Sequence, residues 1–220
     1  MLAPPHSLHS LRTSMPDYAS FVYSTLGRAY RNLGNFSKAL EHHKEHLTMA
    51  KEVGDQAGEG QAYGNLGIVY KSQGDCEKAI EYHTQDLVIA KEVVDRAGEG
   101  AAYANLGCAY ESQGDFSKAI ECHTQRLSIA KEVGDRAREG VALAGEGRTY
   151  ANLGNAYESQ GDFSKAIEYH TQDLAIAKEV GDRAGEGQTY GNLGTCHMYL
   201  NEYGKAVAPT MKHSMPWQYR

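Results

Sequence analysis

One heptapeptide recurs along the whole chain. It reads Gln-Ala-Tyr-Gly-Asn-Leu-Gly at 61–67, and close variants begin at residues 101, 148 and 188. Successive copies are therefore 40, 47 and 40 residues apart, and a diverged first copy begins at Phe21. Self-similarity at a period of roughly 20–50 residues is typical of repeat arrays, in which each unit packs mainly against its neighbours. The repeat thus predicts a quasi-linear array of small units.

Each copy has the pattern of two helices joined by a tight turn. In the copy that begins at residue 101, apolar residues recur at spacings of three and four over 103–110 and again over 116–130. This spacing places each set on one face of a helix. A Gly-Asp pair follows each stretch, at 114–115 and 134–135, where glycine suits a left-handed helix end and aspartate an N-cap. Because alternating stretches of β-branched residues are missing from the sequence, the predicted fold class is all-α.

A glycine recurs inside the first helix of every copy. The positions are Gly27, Gly67, Gly107, Gly154 and Gly194. Glycine in a helix interior costs about 1 kcal/mol relative to alanine. Its recurrence predicts that two helix backbones approach closely there, with small residues such as Ala119 opposite.

These features resemble the tetratricopeptide repeat. Copy two carries the pattern at Tyr63, Leu66-Gly67, Tyr70, Gly74 and Ala79. The 40-residue period resembles the Pins/LGN (G-protein-signalling modulator) family of polarity adaptors, and the near-identity of copies resembles the arrays of tetratricopeptide repeat protein 28. The resemblance implies a right-handed α-solenoid of stacked antiparallel helix pairs, a superhelix that binds proteins in its concave groove.

The predicted array spans residues 15–208, between a disordered N-terminal segment (1–14) and a C-terminal tail (209–220). Its copies are 21–60, 61–100, 101–140, 148–187 and an incomplete copy at 188–208. Pro209 is expected to end the last copy, because proline removes a backbone donor. An incomplete copy suggests a fragment or isoform of a longer array.

Residues 141–147 are an insertion of seven. Seven residues make nearly two helical turns, so the apolar face stays in register. We therefore predict one long helix from about Asp135 to about Ser159. The alternative is a break at Gly140 or Gly145 with a surface loop.

Composition excludes several classes of protein. The net charge of −6 argues against nucleic acid as a partner, and no apolar run reaches the roughly 20 residues needed to span a membrane. The first residues lack the pattern of a secretory signal. The four cysteines show no CxxC spacing and replace ordinary residues of other copies, which predicts reduced thiols. A cytoplasmic location without membrane insertion follows.

Patterns that suggest catalysis or metal binding are explained by the repeat. His42 and His46 fit the zinc-protease pattern H-x-x-E-H, but Asp or Arg replaces His46 in other copies, as expected of a solvent-facing position. Gly-Glu-Gly segments such as 58–60 follow no strand and lack the Lys-Ser/Thr of a phosphate loop. One histidine per copy faces inward, where packing with a local hydrogen-bond partner is expected; these are His43, His83, His123 and His170. No enzyme, cofactor or metal site is predicted.

A ladder of asparagines lies on the predicted groove face. The asparagine directly before each Leu-Gly pair is Asn65, Asn105, Asn152 or Asn192. An amide offers a donor and an acceptor to the backbone of an extended peptide. The resemblance implies the same role, since asparagine at this place contacts the target in related adaptors. The alternative is that each asparagine bonds within its own helix pair.

Charges on this face change sign along the chain. The basic residues predicted to contribute are Arg28, Arg31, Lys71 and Arg148. The next two copies carry Glu111 and Glu158 where copy two carries Lys71. A protein or peptide partner with acidic residues is predicted over copies one and two. The alternative is that these are ordinary solvated charges.

The predicted function is a non-catalytic adaptor or scaffold that binds an extended peptide, in cell polarity or division signalling. The alternative is a sensor or oligomerisation module of a larger signalling protein, whose effector domain lies outside this chain. Self-association remains open at this point. The Gα-binding motifs expected of a polarity adaptor are missing from these residues.

Overall fold

The computed structural model describes residues 16–134 and 139–200, which form nine helices and no strand. The helices are α1 Pro16–Asn32, α2 Phe36–Val53, α3 Gln56–Ser72, α4 Cys76–Glu92, α5 Arg96–Gln113, α6 Phe116–Gly134, α7 Glu139–Gln160, α8 Phe163–Val180 and α9 Arg183–Tyr199. The predicted all-α repeat fold is confirmed. The predicted disordered segment at 1–14, the tail at 209–220 and the second helix of copy five lie outside the described residues. Within the described ranges, no helix is long and apolar enough to cross a bilayer.

The helices fall into two compact units, a first that ends at Gln113 and a second that begins at Gly114. In the first unit, α1 to α5 pack successively on one another, and α3 also touches α1 and α5. In the second unit, α6 packs on α7, α7 on α8 and α8 on α9. Within each unit this is the arrangement of neighbouring helix pairs that the repeat predicts.

The helix caps follow the Gly-Asp pairs. Asp55 accepts a hydrogen bond from the backbone N–H of Gly58 at 2.9 Å, and Asp75 accepts one from Lys78 at 3.1 Å. The residue before the cap adopts positive φ, and it is usually a glycine, such as Gly54 at 71°. Val94 occupies this place before α5 at φ 58°, a conformation that β-branched residues rarely adopt.

The recurring helix glycines pack against buried histidines. A Cβ added to Gly67 would lie 2.5 Å from Cε1 of His83. The glycine therefore makes room for an imidazole ring, and not for the second helix backbone that the sequence predicted. Gly27 meets His43 and Gly154 meets His170 in the same way.

The three histidines are fully buried, and neither ring nitrogen of any of them has a hydrogen-bond partner. The predicted local hydrogen bond is therefore wrong for His43, His83 and His170. Each ring packs against a glycine of the neighbouring helix. Burial lowers the pKa of each of these imidazoles to about 4, which keeps the ring neutral near pH 7.

The insertion is helical. Helix α7 runs without a break from Glu139 to Gln160 and has 22 residues, whereas α8 has 18. The extra length of the described part is about 6 Å at about 1.5 Å per residue. The predicted long helix is confirmed over 139–160, and its expected start at Asp135 lies outside the described residues. Because α6 still packs on α7, the insertion keeps the neighbouring helices in contact.

Candidate functional site

Two cavities occupy equivalent places in the two units. The first cavity, of about 730 Å³, lies between α3 and α5 with α4 behind it. The second cavity, of about 490 Å³, lies between α7 and α9 with α8 behind it. In both, the first helices of successive copies form the walls, which is where the repeat predicts a binding face.

The second cavity brings together three of the residues predicted from the sequence. Arg148 and Asn152 line it from α7, and Asn192 lines it from α9. Arg148 is exposed, whereas both asparagines are half-buried. The Nδ2 of Asn192 donates a hydrogen bond to Oδ1 of Asn155 at 3.3 Å. This contact links the facing helices and still leaves the Asn192 carbonyl oxygen as an acceptor.

The predicted residues of the first unit are dispersed. Asn65 and Asn105 are half-buried on α3 and α5, and Gln61 occupies the cavity place that Arg148 has in the second unit. Lys71 lies near the end of α3, outside the first cavity, where its charge helps to lower the pKa of His83 after the larger effect of burial.

The two arginines of copy one lie by His43. The charges of Arg31 and Arg28 act on the His43 imidazole in the same direction as its burial, and the largest cause of its lowered pKa is burial. Arg28 is exposed, and Arg31 donates to Oδ1 of Asn32 at 3.1 Å. The structure thus gathers Arg148, Asn152 and Asn192 into one site and does not bring Arg28, Arg31 and Lys71 into the first cavity.

The position of His46 on the second helices is buried, contrary to its prediction as a solvent-facing site. His46 was expected to face solvent because Asp86, Arg126 and Asp173 replace it, yet its side chain is only 3 % exposed. Asp86 and Asp173 are half-buried and line the two cavities. At positions 86 and 173 the residue faces a cavity, so variation here does not indicate exposure to bulk solvent.

The carboxyl group of Asp86 sits in a niche made by two glycines. A Cβ on Gly64 would lie 2.8 Å from Oδ2 of Asp86, and a Cβ on Gly60 would lie 3.4 Å from Oδ1. Burial, and then the charge of Asp95, raise the pKa of Asp86 to about 7. The signal that could have revealed this site is its spacing. Position 86 lies three residues after buried His83 and four before buried Ala90, on the inward face of α4.

Asp173 is the counterpart in the second cavity. The hydroxyl of Thr189 donates a hydrogen bond to Oδ2 of Asp173 at 2.5 Å. Burial raises the pKa of this carboxyl as well, and the Thr189 bond opposes the shift. The floor of each cavity therefore presents a carboxyl group to any bound chain.

His42 plays a packing role. Its ring stacks on Tyr30 with centroids 5.2 Å apart and an interplanar angle of 14°. Tyr82 stacks on Tyr70 in the same way, at 5.3 Å and 5°. His42 thus replaces an aromatic ring of the repeat, and the H-x-x-E-H pattern is explained by packing at both of its histidines.

Comparisons with known proteins agree with this geometry. The family model of the tetratricopeptide repeat matches residues 18–92 and 144–209, and a second tetratricopeptide repeat model matches 102–137. Human G-protein-signaling modulator 1 is 46 % identical over 43 residues, which is 20 % of this chain and 6 % of that protein. The chain therefore matches only a small part of that relative's length.

Solved structures show the same fold. The BtubC protein of P. vanneervenii superposes with a TM-score of 0.79 at 22 % identity, covering 97 % of this chain and 90 % of that one. A signal-transduction ATPase with a tetratricopeptide repeat sensor, from Pyrococcus horikoshii, gives 0.79 at 18 % identity and covers 96 % of this chain and 33 % of that one. With more than half of its residues matched by the family model, the chain belongs to the tetratricopeptide repeat family, whose arrays mediate protein–protein interactions.

Proposed function

We propose that this chain is a non-catalytic adaptor that holds an extended peptide segment of another protein in its repeat cavities. The observation that carries the proposal is the second cavity, where Arg148, Asn152 and Asn192 converge from two helices. Amide groups at one-repeat spacing suit the backbone of an extended chain, and a guanidinium binds a carboxylate with two parallel hydrogen bonds. The proposed ligand therefore carries an acidic residue whose carboxylate pairs with the guanidinium of Arg148.

The first cavity calls for a different ligand residue. Its charged lining consists of Asp86 and Asp95, so a basic side chain or a backbone N–H fits there better than a carboxylate. Acidic residues of the ligand would instead contact Arg28, Arg31 and Lys71, which lie outside the first cavity in copies one and two. The proposed ligand of the first cavity therefore carries a basic residue at Asp86.

Binding by selected peptides tests this proposal. Peptides chosen from a random library against the full chain would be measured by fluorescence polarisation with the wild type and with the double variant N152A/N192A. Each lost hydrogen bond contributes about 1 kcal/mol, so the double variant should bind about 10-fold to 30-fold more weakly. Gln172→Ala, at an exposed site on α8, is the matched control. Equal affinity for wild type and double variant would contradict the groove assignment.

The cellular setting is proposed from the partial relative. Local identity to a G-protein-signaling modulator supports a role in signalling, and the resemblance of the 40-residue repeat to the Pins/LGN family is the ground for proposing cell polarity or division in the cytoplasm. The second candidate function is a sensor or oligomerisation module of a larger protein, supported by the likeness to the repeat sensor of the Pyrococcus horikoshii ATPase. Sedimentation of the full chain over a wide concentration range separates the two functions, because self-association favours the module and a monomer favours the adaptor.

A further inference from the structure

Three side chains from three successive helices of the second unit converge on one point. They are Glu158 of α7, His170 of α8 and Cys196 of α9. The Oε2 atom of Glu158 lies 3.7 Å from Nε2 of His170 and 3.8 Å from Sγ of Cys196. One ligand atom from each residue lies within 4.8 Å of the other two.

The burial of this cluster leaves polar atoms unsatisfied. His170 and Cys196 are both 0 % exposed, and neither nitrogen of the His170 ring has a hydrogen-bond partner. A buried polar group without a partner is uncommon and calls for an explanation. Glu158 is partly exposed and lines a cavity of about 590 Å³ together with Asn155 and Tyr199. Two of the three residues are thus shielded from solvent, and only Glu158 is accessible to it.

The repeat does not require this combination. The histidine belongs to the common packing, as His83 does on Gly67. The thiol is additional, because copies three and four have Ala109 and Ala156 at the place of Cys196, whereas the acid is shared with copy three as Glu111 and is replaced by Lys71 in copy two. A packing role for the imidazole therefore does not explain why a carboxylate and a thiol meet it.

We propose that Glu158, His170 and Cys196 form a zinc-binding site of the second unit. Imidazole, thiolate and carboxylate are the ligand types of protein zinc sites, and three protein ligands with an open fourth position are common. Zn–ligand bonds of about 2.0–2.3 Å place tetrahedral ligand atoms about 3.3–3.7 Å apart. The two separations from Glu158, 3.7 and 3.8 Å, need to shorten by only a few tenths of an ångström, and the third, between His170 and Cys196, closes from within 4.8 Å.

Binding has defined chemical consequences. The Cys196 thiol forms a bond to the metal and releases its proton to solvent, while the neutral imidazole of His170 donates a ring-nitrogen lone pair. The ion joins α9 to α7 and α8, so it stabilises the last described helix against fraying. This role does not depend on peptide binding in the cavities.

Cobalt spectroscopy of the full chain tests the site. The metal-free, reduced protein would be titrated with Co²⁺, and Zn²⁺ would then be added as a competitor. We expect visible d–d bands of tetrahedral intensity, a near-ultraviolet thiolate-to-cobalt charge-transfer band and complete displacement by Zn²⁺. The cysteine variants below separate this site from Cys108, Glu111 and His123, whose ligand atoms also lie within 4.8 Å of one another. The charge-transfer band reports a thiolate ligand, so cobalt held only by imidazoles elsewhere in the chain would not produce it.

Two variants use residues that the repeat already contains. Cys196→Ala introduces the residue of Ala109 and Ala156 and should abolish the charge-transfer band. Glu158→Lys introduces the residue of Lys71 and should weaken Co²⁺ binding on the order of 100-fold. A third variant with Cys76, Cys108 and Cys122 all replaced by alanine should keep the band. Circular dichroism would verify that each variant is folded. Loss of the band in the triple variant, whose only cysteine is Cys196, or a wild type that binds neither Co²⁺ nor Zn²⁺ at micromolar concentration, would overturn the proposal.

Discussion

Replacing Asp86 by asparagine should stabilise the protein, and the gain should grow with pH. The folded-state pKa of Asp86 is raised to about 7, from 3.8, chiefly by burial. Between these values the unfolded chain releases the proton before the folded chain does, so ionisation destabilises the folded state increasingly as pH rises from about 4 to about 7. A shift of about 3 units at about 1.4 kcal/mol per unit gives a maximal penalty of about 4 kcal/mol above pH 7.

Asparagine retains the shape of the side chain and removes the charge. The free energy of unfolding of Asp86→Asn, relative to wild type, should therefore rise by about 3 kcal/mol from pH 4.5 to pH 8.5. Urea denaturation of both proteins at the two pH values measures this change, and titration of the buried histidines cancels in the difference. Glu81→Gln, at an exposed site on the same helix, should show no such rise.

A constant difference between Asp86→Asn and wild type at the two pH values would refute the reasoning, as would a loss of stability at pH 8.5. The same variant should bind a basic peptide more weakly, because the carboxylate that the peptide pairs with is gone. The variant should thus be more stable but bind more weakly. This combination is expected when a buried carboxylate destabilises the free protein and is stabilised by its ligand in the complex.

Two further substitutions test the backbone and the packing. Val94→Gly should stabilise the protein by about 1 kcal/mol in urea denaturation, because Val94 adopts φ 58° where Gly54 and Gly181 stand in other copies; destabilisation would show that the left-handed turn is not strained. Gly67→Ala should destabilise by about 1–3 kcal/mol, since its Cβ would lie 2.5 Å from Cε1 of His83. The control Gly187→Ala, in a helix with nothing within 4 Å, should instead be neutral or stabilising, and equal effects of the two alanines would contradict the packing argument.

The helices could be predicted from the sequence because their signals are local. Spacings of three and four define each apolar face, and the Gly-Asp pairs define the turns, so Asp55 and Asp75 were recognisable as caps. The register of the insertion also follows from local geometry, since seven residues nearly complete two turns. These features need no knowledge of what lies across an interface.

The site could be predicted only in part because its chemistry depends on what meets across helices. The face of His83 follows from periodicity, but its contact with the backbone of Gly67 does not. Glu158, His170 and Cys196 come from three different helices, and their spacing along the chain matches no known metal-binding motif. Their proximity could therefore not be predicted from the sequence. Comparison of copies also misled at His46, where variation was taken as a sign of exposure.

The position occupied by His46 in copy one allows each copy to bind a ligand residue of different charge. The scaffold contacts around it recur: a glycine lies on a buried histidine, and the second helices are capped by Asn35, Asp75 and Asp162. The position itself is His46, Asp86, Arg126 and Asp173 in successive copies. In the two cavities it contributes the half-buried carboxyl groups. A charge at such a place costs folding free energy but interacts strongly with a ligand, because little water screens it. Since a substitution at this position changes the charge at the floor of a cavity, the residue found there should set the charge of the ligand residue that the cavity binds.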